Sequence, residues 1–452
     1  MSTFDRDAIR VFRFVRCGFN TDTGIAELAY AFDDGPELVE TVTVPGAPFA
    51  LEPARAAAVE RALRLLHLVA GVSYYKAAVP GQIRIDSYAI DADTAAMLEQ
   101  VYLNGLGEFA YRNGLDLHGR IRFPFDADAA GAAAPALGLP QRALVAIGGG
   151  KDSLVSIEAL RAAGVEQVVT WIGNSQLIRT CAERTGLPTL NIGRALAPQL
   201  FEINRQGAYN GHIPVTAVNS AILVLAALLT GAGQVVFSNE RSASYGSLVP
   251  GAGEVNHQWS KGWAFEQAFG GRVERGIAAD LHYYSLLRPL SELAVARQFA
   301  KSDHYDEHFS SCNRNFHILG EKPAQRWCGL CPKCHFVFLA LAPFMSKARL
   351  VRIFGRNLLD EDWQAPGFDA LLEFQDHKPF ECVGEGRESR AAMAALAARA
   401  DWREDALVAR FASEIRPQLD AVELRIEPLL EIAGEHRVPN AVWERLRARF
   451  AA

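Results

Sequence analysis

Residues 143–161 read A-L-V-A-I-G-G-G-K-D-S-L-V-S-I-E-A-L-R, and this stretch decides the fold. The apolar run Ala143–Ile147 predicts a buried parallel strand. Three glycines follow, Gly148, Gly149 and Gly150, then Lys151, Asp152 and Ser153. Leu154, Ile157, Leu160 and Ala163 then recur at helical spacing up to Gly164, a residue suited to end a helix. A strand that runs through bare glycines into a helix start is where backbone N–H groups and a helix N-terminus meet an anion. Lacking a Cβ, the glycines let a phosphate approach the main chain. A nucleotide phosphate is the expected guest.

Two common phosphate loops fail on this stretch. A Walker A loop needs a glycine where Val145 stands and Ser or Thr where Asp152 stands. A dinucleotide fingerprint nearly fits at Gly148 and Gly150, but its third glycine is Ser153. The residues about 20 further on, Val168 to Ile172, are apolar where an acidic one is needed. What remains resembles the PP-loop of the N-type ATP pyrophosphatases, S-G-G-x-D-S, with Gly148 in the first serine position. That resemblance implies cleavage of ATP between its α and β phosphates and transfer of AMP to an oxygen. The missing hydroxyl leaves one phosphate contact to the backbone.

Outward from the loop, strands and helices alternate. Strands are expected at 167–172, 189–192 and 234–238, with helices at 153–163, 175–185 and about 214–230. This order predicts an α/β fold on a doubly wound parallel sheet, with ligands at the C-terminal strand ends. Gly173, Asn174, Arg194, Ser238, Asn239, Glu240 and Arg241 follow those strands and are binding candidates, Gly173 and Asn239 foremost. Upstream, residues 11–15, 25–32 and 39–44 alternate like strands between the turns T-D-T-G and D-D-G-P, an antiparallel meander. Helices at 53–69 and 94–111 and a short strand at 83–85 complete an N-terminal α+β region, 1–126. Tyr74, Tyr75 and Lys76 read as packed residues there. The Ala-, Gly- and Pro-rich stretch 127–141 reads as a linker, 142–345 as the nucleotide domain and 346–452 as a helical appendage. In that last part helices are expected at 391–398, 405–415, 419–432 and 441–450.

Cys328, Cys331 and Cys334 stand at C-x2-C-x2-C spacing, with Cys312 upstream and fifteen residues between. Four thiolates suit a closed, structural zinc; an iron–sulfur cluster and free buried thiols are the alternatives. Cys331-Pro-Lys-Cys334-His335 also matches the haem-attachment pattern, but that attachment needs export, and the N-terminus offers no basic segment followed by an apolar run. Cys17, Cys181 and Cys382 stand alone and read as core residues. A balance of 46 basic against 52 acidic residues, net −6, argues against nucleic acid as partner. The longest strongly apolar run, Ala221–Leu229, is too short to span a bilayer. A cytoplasmic location follows as the expectation.

A four-cysteine site downstream of a PP-loop resembles the 7-cyano-7-deazaguanine synthases over roughly 143–345. The whole chain resembles another family more closely, the UDP-N-acetylmuramoyl-L-alanyl-L-glutamate epimerases (MurL). That likeness rests on V-A-I-G-G-G-K-D-S behind an α+β region, N-H-Q-W-S-K at 256–261, R-W-C-G-L-C-P-K-C-H at 326–335 and the helical tail. It implies inversion of the terminal L-glutamate of a UDP-MurNAc dipeptide, with ATP becoming AMP and diphosphate. An α-hydrogen beside a free carboxylate is very weakly acidic; adenylation removes that charge and lets the carbanion delocalise as an enolate. On this reading Gly148 to Ser153 hold the triphosphate, Lys151 neutralises it and Asp152 helps hold Mg²⁺. Asp152 and Ser153 can equally be helix caps. His212, Tyr245, His257, Lys261 and His282 are acid/base candidates, His212 and Lys261 foremost, and Arg205, Arg241 and Arg288 candidates for substrate anions. Two other classes stay open: another PP-loop activator (an amide or nitrile synthetase, or a tRNA-modifying enzyme), and a zinc-stabilised nucleotide-binding module without catalysis.

Overall fold

The computed structural model describes residues 4–129, 133–249, 253–316, 322–374 and 378–451. The expected strand at the glycine loop is β5 (Ala143–Ala146), and its parallel neighbours are β6 (Gln167–Ile172), β7 (Thr189–Ala195), β8 (Gln234–Phe237) and β11 (His282–Ser285). The meander is β1 (Val11–Asn20), β2 (Ile25–Phe32) and β3 (Leu38–Thr43), with β4 (Gln82–Ile85) parallel to β1. A short hairpin, β9 (Ser247–Val249) with β10 (Gly253–Val255), stands apart. The other nine strands form one sheet in the order β11-β8-β5-β6-β7-β3-β2-β1-β4. The N-terminal meander therefore joins the parallel sheet edge to edge, β3 pairing antiparallel with β7 through Val42 and Arg194. Residues 133–141 of the expected linker are fastened at this level too: Asp280 accepts the N–H groups of Leu137 and Leu139 at 2.8 and 2.9 Å. Residues 130–132 lie outside the described residues.

Side chains alternate across a strand, and here the alternation divides two cores. Leu144, Val235, Phe237 and Tyr283 face one side, where the helices Pro53–Ala70 and Val215–Thr230 and the meander complete the packing. Ala143, Val145, Val236 and Tyr284 face the other, against the helices Lys151–Ala162, Glu292–Ala300 and Pro332–Leu341. The sheet is thus covered on both faces. The C-terminal helices are part of the second core: Trp402, Phe411, Leu446 and Phe450 are buried in it. Arg445 of the last helix, Asn440–Ala451, donates to the carbonyl of Ala163 at 3.2 Å. Residues 419–432, expected as a helix, form turns and a short 3-10 segment at Glu427–Leu430. Pro428 has no N–H for a helical ladder there. The expected 94–111 helix is two, Ala92–Gly105 and Gly107–Asn113. Among the described residues no helix is long and apolar enough to cross a membrane.

Candidate active site

From β5 the chain moves to β6 and β7 on one side, then to β8 and β11 on the other. The carboxyl ends of β5 and β8 therefore flank a topological switch point, where open α/β sheets bind their ligands. A cavity of about 710 Å³ lies there. Ala146, Ile147, Gly148 and Gly150 line it from the β5 side, and Phe237, Ser238 and Asn239 from the β8 side. Gly149 takes φ +79° and turns the chain sharply, and Gly150 caps the following helix without a side-chain bond. A Cβ on Gly148 would meet nothing within 4 Å, so that backbone lies open. An anion can reach this helix start without steric cost.

The three residues after the glycines divide. Asp152 and Ser153 line the cavity. They stand inside the first helical turn, so neither is the cap; Ser153 donates back to the Gly150 carbonyl at 3.1 Å. Lys151, expected to meet the phosphates, is 1% exposed and bonded to Asp152 and Glu292. It is not among the lining residues, so in this geometry it fixes Asp152. Burial alone would raise the Asp152 carboxyl, but Lys151, Lys333 and Lys261 hold it below its usual range. An ionised carboxylate results. Glu240 lies beneath, pushed up to about 8 by burial and by Glu292 and Asp152.

The opposite wall comes from distant parts of the chain. His212 precedes the helix Val215–Thr230, while His257 and Lys261 belong to the N-H-Q-W-S-K segment; all three line the cavity with Lys333, Glu381 and Cys382. Lys261 Nζ donates to Cys382 Sγ at 3.0 Å. His257 Nδ1 is bonded to Glu108, a carboxylate from the helix Gly107–Asn113 that also accepts from Arg112. The His212 and His257 rings are 4.1 Å apart. Burial would raise the Cys382 thiol, yet Lys261, His257 and Lys333 bring it down to about 5. Burial opposes charge on His257, but Cys382 and Glu108 carry it up to about 9. Burial, with the cations His257 and Lys261 beside it, takes His212 down to about 4. A thiolate, an imidazolium and a neutral imidazole stand side by side at neutral pH.

Glu108, His212 and His257 also bring their ligating atoms within 4.8 Å of one another. Glu108 is bonded to His257 Nδ1, and Cys382 engages the same ring. Cys382, read from sequence as a core residue, is a site residue that reasoning missed, as are Glu108, Lys333 and Glu381. Nothing in the local sequence of Cys382 marks it, since Lys333 lies 49 positions upstream and Lys261 121 positions upstream.

The four other clustered cysteines converge. Sγ separations of 3.7 Å (Cys328–Cys334), 3.5 Å (Cys331–Cys334) and 4.0 Å (Cys312–Cys331) match the edges of a tetrahedron of about 3.8 Å implied by metal–sulfur bonds of about 2.3 Å. Leu330 and Cys331 donate their N–H groups to Cys328 Sγ at 3.3 and 3.4 Å, which suits a charged sulfur. His335 of the haem-like pattern is bonded to Gln364 and stacked on Phe368, so it is used inside the core. The cluster also shapes the cavity. Ser311 and Asn313 flank Cys312, and Lys333 lies between Cys331 and Cys334; all three line the wall. Ser310 donates its N–H to the Gly149 carbonyl at 2.8 Å, tying the knuckle to the glycine loop.

The remaining candidates lie elsewhere. Arg194 pairs with buried Glu40 at 2.7 Å across the β3–β7 seam. Arg288 is buried against Glu266 and donates to the carbonyls of Glu240 and Lys261, which positions two site segments. Arg241 bonds the carbonyls of Pro289 and Ala433. Arg205 is an exposed partner of Glu202. His282 pairs with Glu274 at 3.0 Å, and Tyr245 is exposed. Gly173 takes φ +91° and accepts from Asn191, outside the cavity lining; Asn239 lines it and donates to Ser285 at 3.0 Å. Tyr74 and Tyr75 are packed, as expected.

A family model described as the MurL N-terminal domain matches residues 3–286, and one described as the MurL C-terminal domain matches 308–425. A protein of Xanthomonas oryzae pv. oryzae is 76% identical over 451 residues, covering 100% of both chains. One from Salinispora tropica is 42% identical over 403 residues, 88% of this chain and 87% of its own. One from a Micromonospora species is 42% identical over 436 residues, 95% of this chain and 96% of its own. Each of the three carries the name UDP-N-acetyl-alpha-D-muramoyl-L-alanyl-L-glutamate epimerase.

Proposed function

The chain belongs to the MurL family, and we propose that it inverts the terminal L-glutamyl residue of UDP-MurNAc-L-Ala-L-Glu after activating that residue's α-carboxylate with ATP. The observation that carries this reading is a single cavity that joins an open glycine loop to a thiolate–imidazole cluster. One end suits phosphate and the other suits proton transfer. The core is read as that of the PP-loop ATP pyrophosphatases. The triphosphate lies on Gly148, Gly150 and Ser153 at the helix N-terminus. Asp152, ionised and facing the cavity, would hold Mg²⁺, which supplies charge neutralisation at the leaving diphosphate.

The carboxylate oxygen of the glutamyl residue attacks the α-phosphorus, the bond to the β-phosphate oxygen breaks, and diphosphate leaves. The carboxyl group of the acyl adenylate carries no negative charge of its own, so its α-hydrogen is far more acidic than that of the free anion. Deprotonation on one face and protonation on the other invert the carbon, and water then releases AMP. Cys312, Cys328, Cys331 and Cys334 would hold zinc in a structural role, since four thiolates leave no open position for chemistry. The enzyme would act in the cytoplasm, where peptidoglycan precursors are built, on nucleotide and sugar-peptide ligands.

The test is the product of ATP. With Mg²⁺ and UDP-MurNAc-L-Ala-L-Glu the protein should release AMP and diphosphate, and with UDP-MurNAc-L-Ala it should release neither. ADP as product would replace adenylation with γ-phosphoryl transfer; AMP formation indifferent to the glutamyl residue would remove it as the acceptor.

A further inference from the structure

Resting on the epimerase reading, we propose that Cys382 is one of the two groups that exchange the glutamyl α-proton, acting as a thiolate held by Lys261 and His257. Four observations converge on it. Cys382 lines the cavity that begins at the glycine loop. Lys261 Nζ donates to that sulfur at 3.0 Å, and His257, fixed by Glu108, engages it from another element. The backbone that carries it is clamped on both sides: Lys333 donates to the Cys382 carbonyl, and Gln258 donates to that of Val383 at 3.2 Å. Two of the other acid/base candidates on this wall, Lys261 and His257, are committed; His212, a neutral imidazole lining the same cavity, stands beside them. The Lys261 ammonium is raised further by Cys382 and is no base; the His257 ring serves Glu108 and Cys382.

The step balances without an outside reagent. A sulfur lone pair takes the α-proton and forms S–H. The C–H electrons enter the bond to the carbonyl carbon as its π electrons move to oxygen, giving an enolate. A proton drawn from solvent then arrives on the opposite face, and the thiol returns its own proton to solvent. The charged groups facing the sulfur are Lys261, His257 and Lys333 as cations, with Glu381 and Glu108 as the nearby carboxyls. Cations prevail, which keeps the thiolate ionised against burial.

The experiment compares wild type with Cys382→Ala and Cys382→Ser, following ATP–diphosphate exchange and D-glutamyl product separately. Both variants should still exchange diphosphate with ATP in the presence of substrate, while inversion falls by about 10²–10⁴-fold, the usual worth of a positioned acid or base. Inversion within a few fold of wild type would make Cys382 a bystander. Loss of diphosphate exchange together with inversion would assign it to ATP or carboxylate positioning. An acyl adduct on Cys382 in acid-quenched wild type would make it a nucleophile, and loss of inversion in Glu381→Gln but not Cys382→Ala would transfer the role to that carboxyl. Should the variants fail to fold, iodoacetamide on the wild type decides: peptide mapping should show Cys382 alkylated from about pH 5 upward, with protection by substrate. Onset only above about pH 8, as for an ordinary thiol, would contradict it. Wild type that neither forms AMP nor inverts the substrate would fail the epimerase reading itself, a different result from any of these.

Discussion

A knuckle of four cysteines stands behind the cavity wall and the single Cys382 on it, and the two are read as serving opposite uses. In the knuckle, four sulfurs face one another 3.5–4.0 Å apart along the measured edges. At Cys382 one sulfur faces an ammonium at 3.0 Å and an imidazolium. Mutually facing thiols need a cation among them before they can all ionise. A thiol facing fixed cations ionises by itself and stays free to react. Neighbours, not the residue type, separate a staple from a reagent. The two are also linked, because Lys333 sits between two knuckle cysteines and holds the Cys382 carbonyl.

The contrast can be broken most severely from the knuckle. Cys331→Ser, or a strong chelator, should remove the metal and collapse both the second core and the cavity wall, since structural zinc sites carry on the order of 10 kcal/mol of folding free energy. The melting temperature should fall by about 10 °C or more; an unchanged melt with stoichiometric metal loss would contradict a structural role. Asp152→Ala should leave fold and metal in place and lower AMP formation by on the order of 10³-fold, measured as AMP release at saturating ATP. Normal release would remove the PP-loop reading.

A smaller change sharpens the other side of the comparison. Lys261→Met removes the ammonium that donates to the sulfur at 3.0 Å. The alkylation onset of Cys382, expected at about pH 5 in the intact site, should move upward by about 1–3 pH units. The sign follows from which form each partner favours: an ammonium stabilises the thiolate, so its loss favours the thiol. The same logic places the alkaline limb of inversion at His257, whose imidazolium persists up to about 9; Glu108→Gln removes a negative partner and should move that limb downward. Smallest of all, Arg205→Ala deletes an exposed partner of Glu202 outside the cavity lining. Neither melting temperature nor inversion should change, and a lost activity would place a substrate anion there.

How legible this was depended on how local the cause is. The glycine loop, β5 to β8, the meander and the four-cysteine spacing are written in contiguous residues, and the structure has them where the sequence placed them. β11 escaped because His282–Ser285 is short and half polar. The helix Trp263–Gly276 escaped because Gly270, Gly271 and Gly276 interrupt its pattern. The site escaped for a different reason. Lys151 looked like a phosphate ligand until Glu292, 141 positions away, claimed it. Arg194 looked like a ligand residue until Glu40, 154 positions away, met it at the β3–β7 seam. Cys382 is made by Lys261, His257 and Lys333 together, a set that exists only after the N-terminal helix, the N-H-Q-W-S-K segment and the C-terminal core have closed on one cavity.

The measurement that tests the account most directly is a single incubation in deuterated water with ATP, Mg²⁺ and UDP-MurNAc-L-Ala-L-Glu, following AMP and the glutamyl α-carbon together. The account predicts AMP, deuterium at that carbon and a D-glutamyl product, all dependent on ATP. AMP with an α-carbon that keeps its hydrogen and its configuration would contradict it, leaving carboxylate activation for some other acyl transfer.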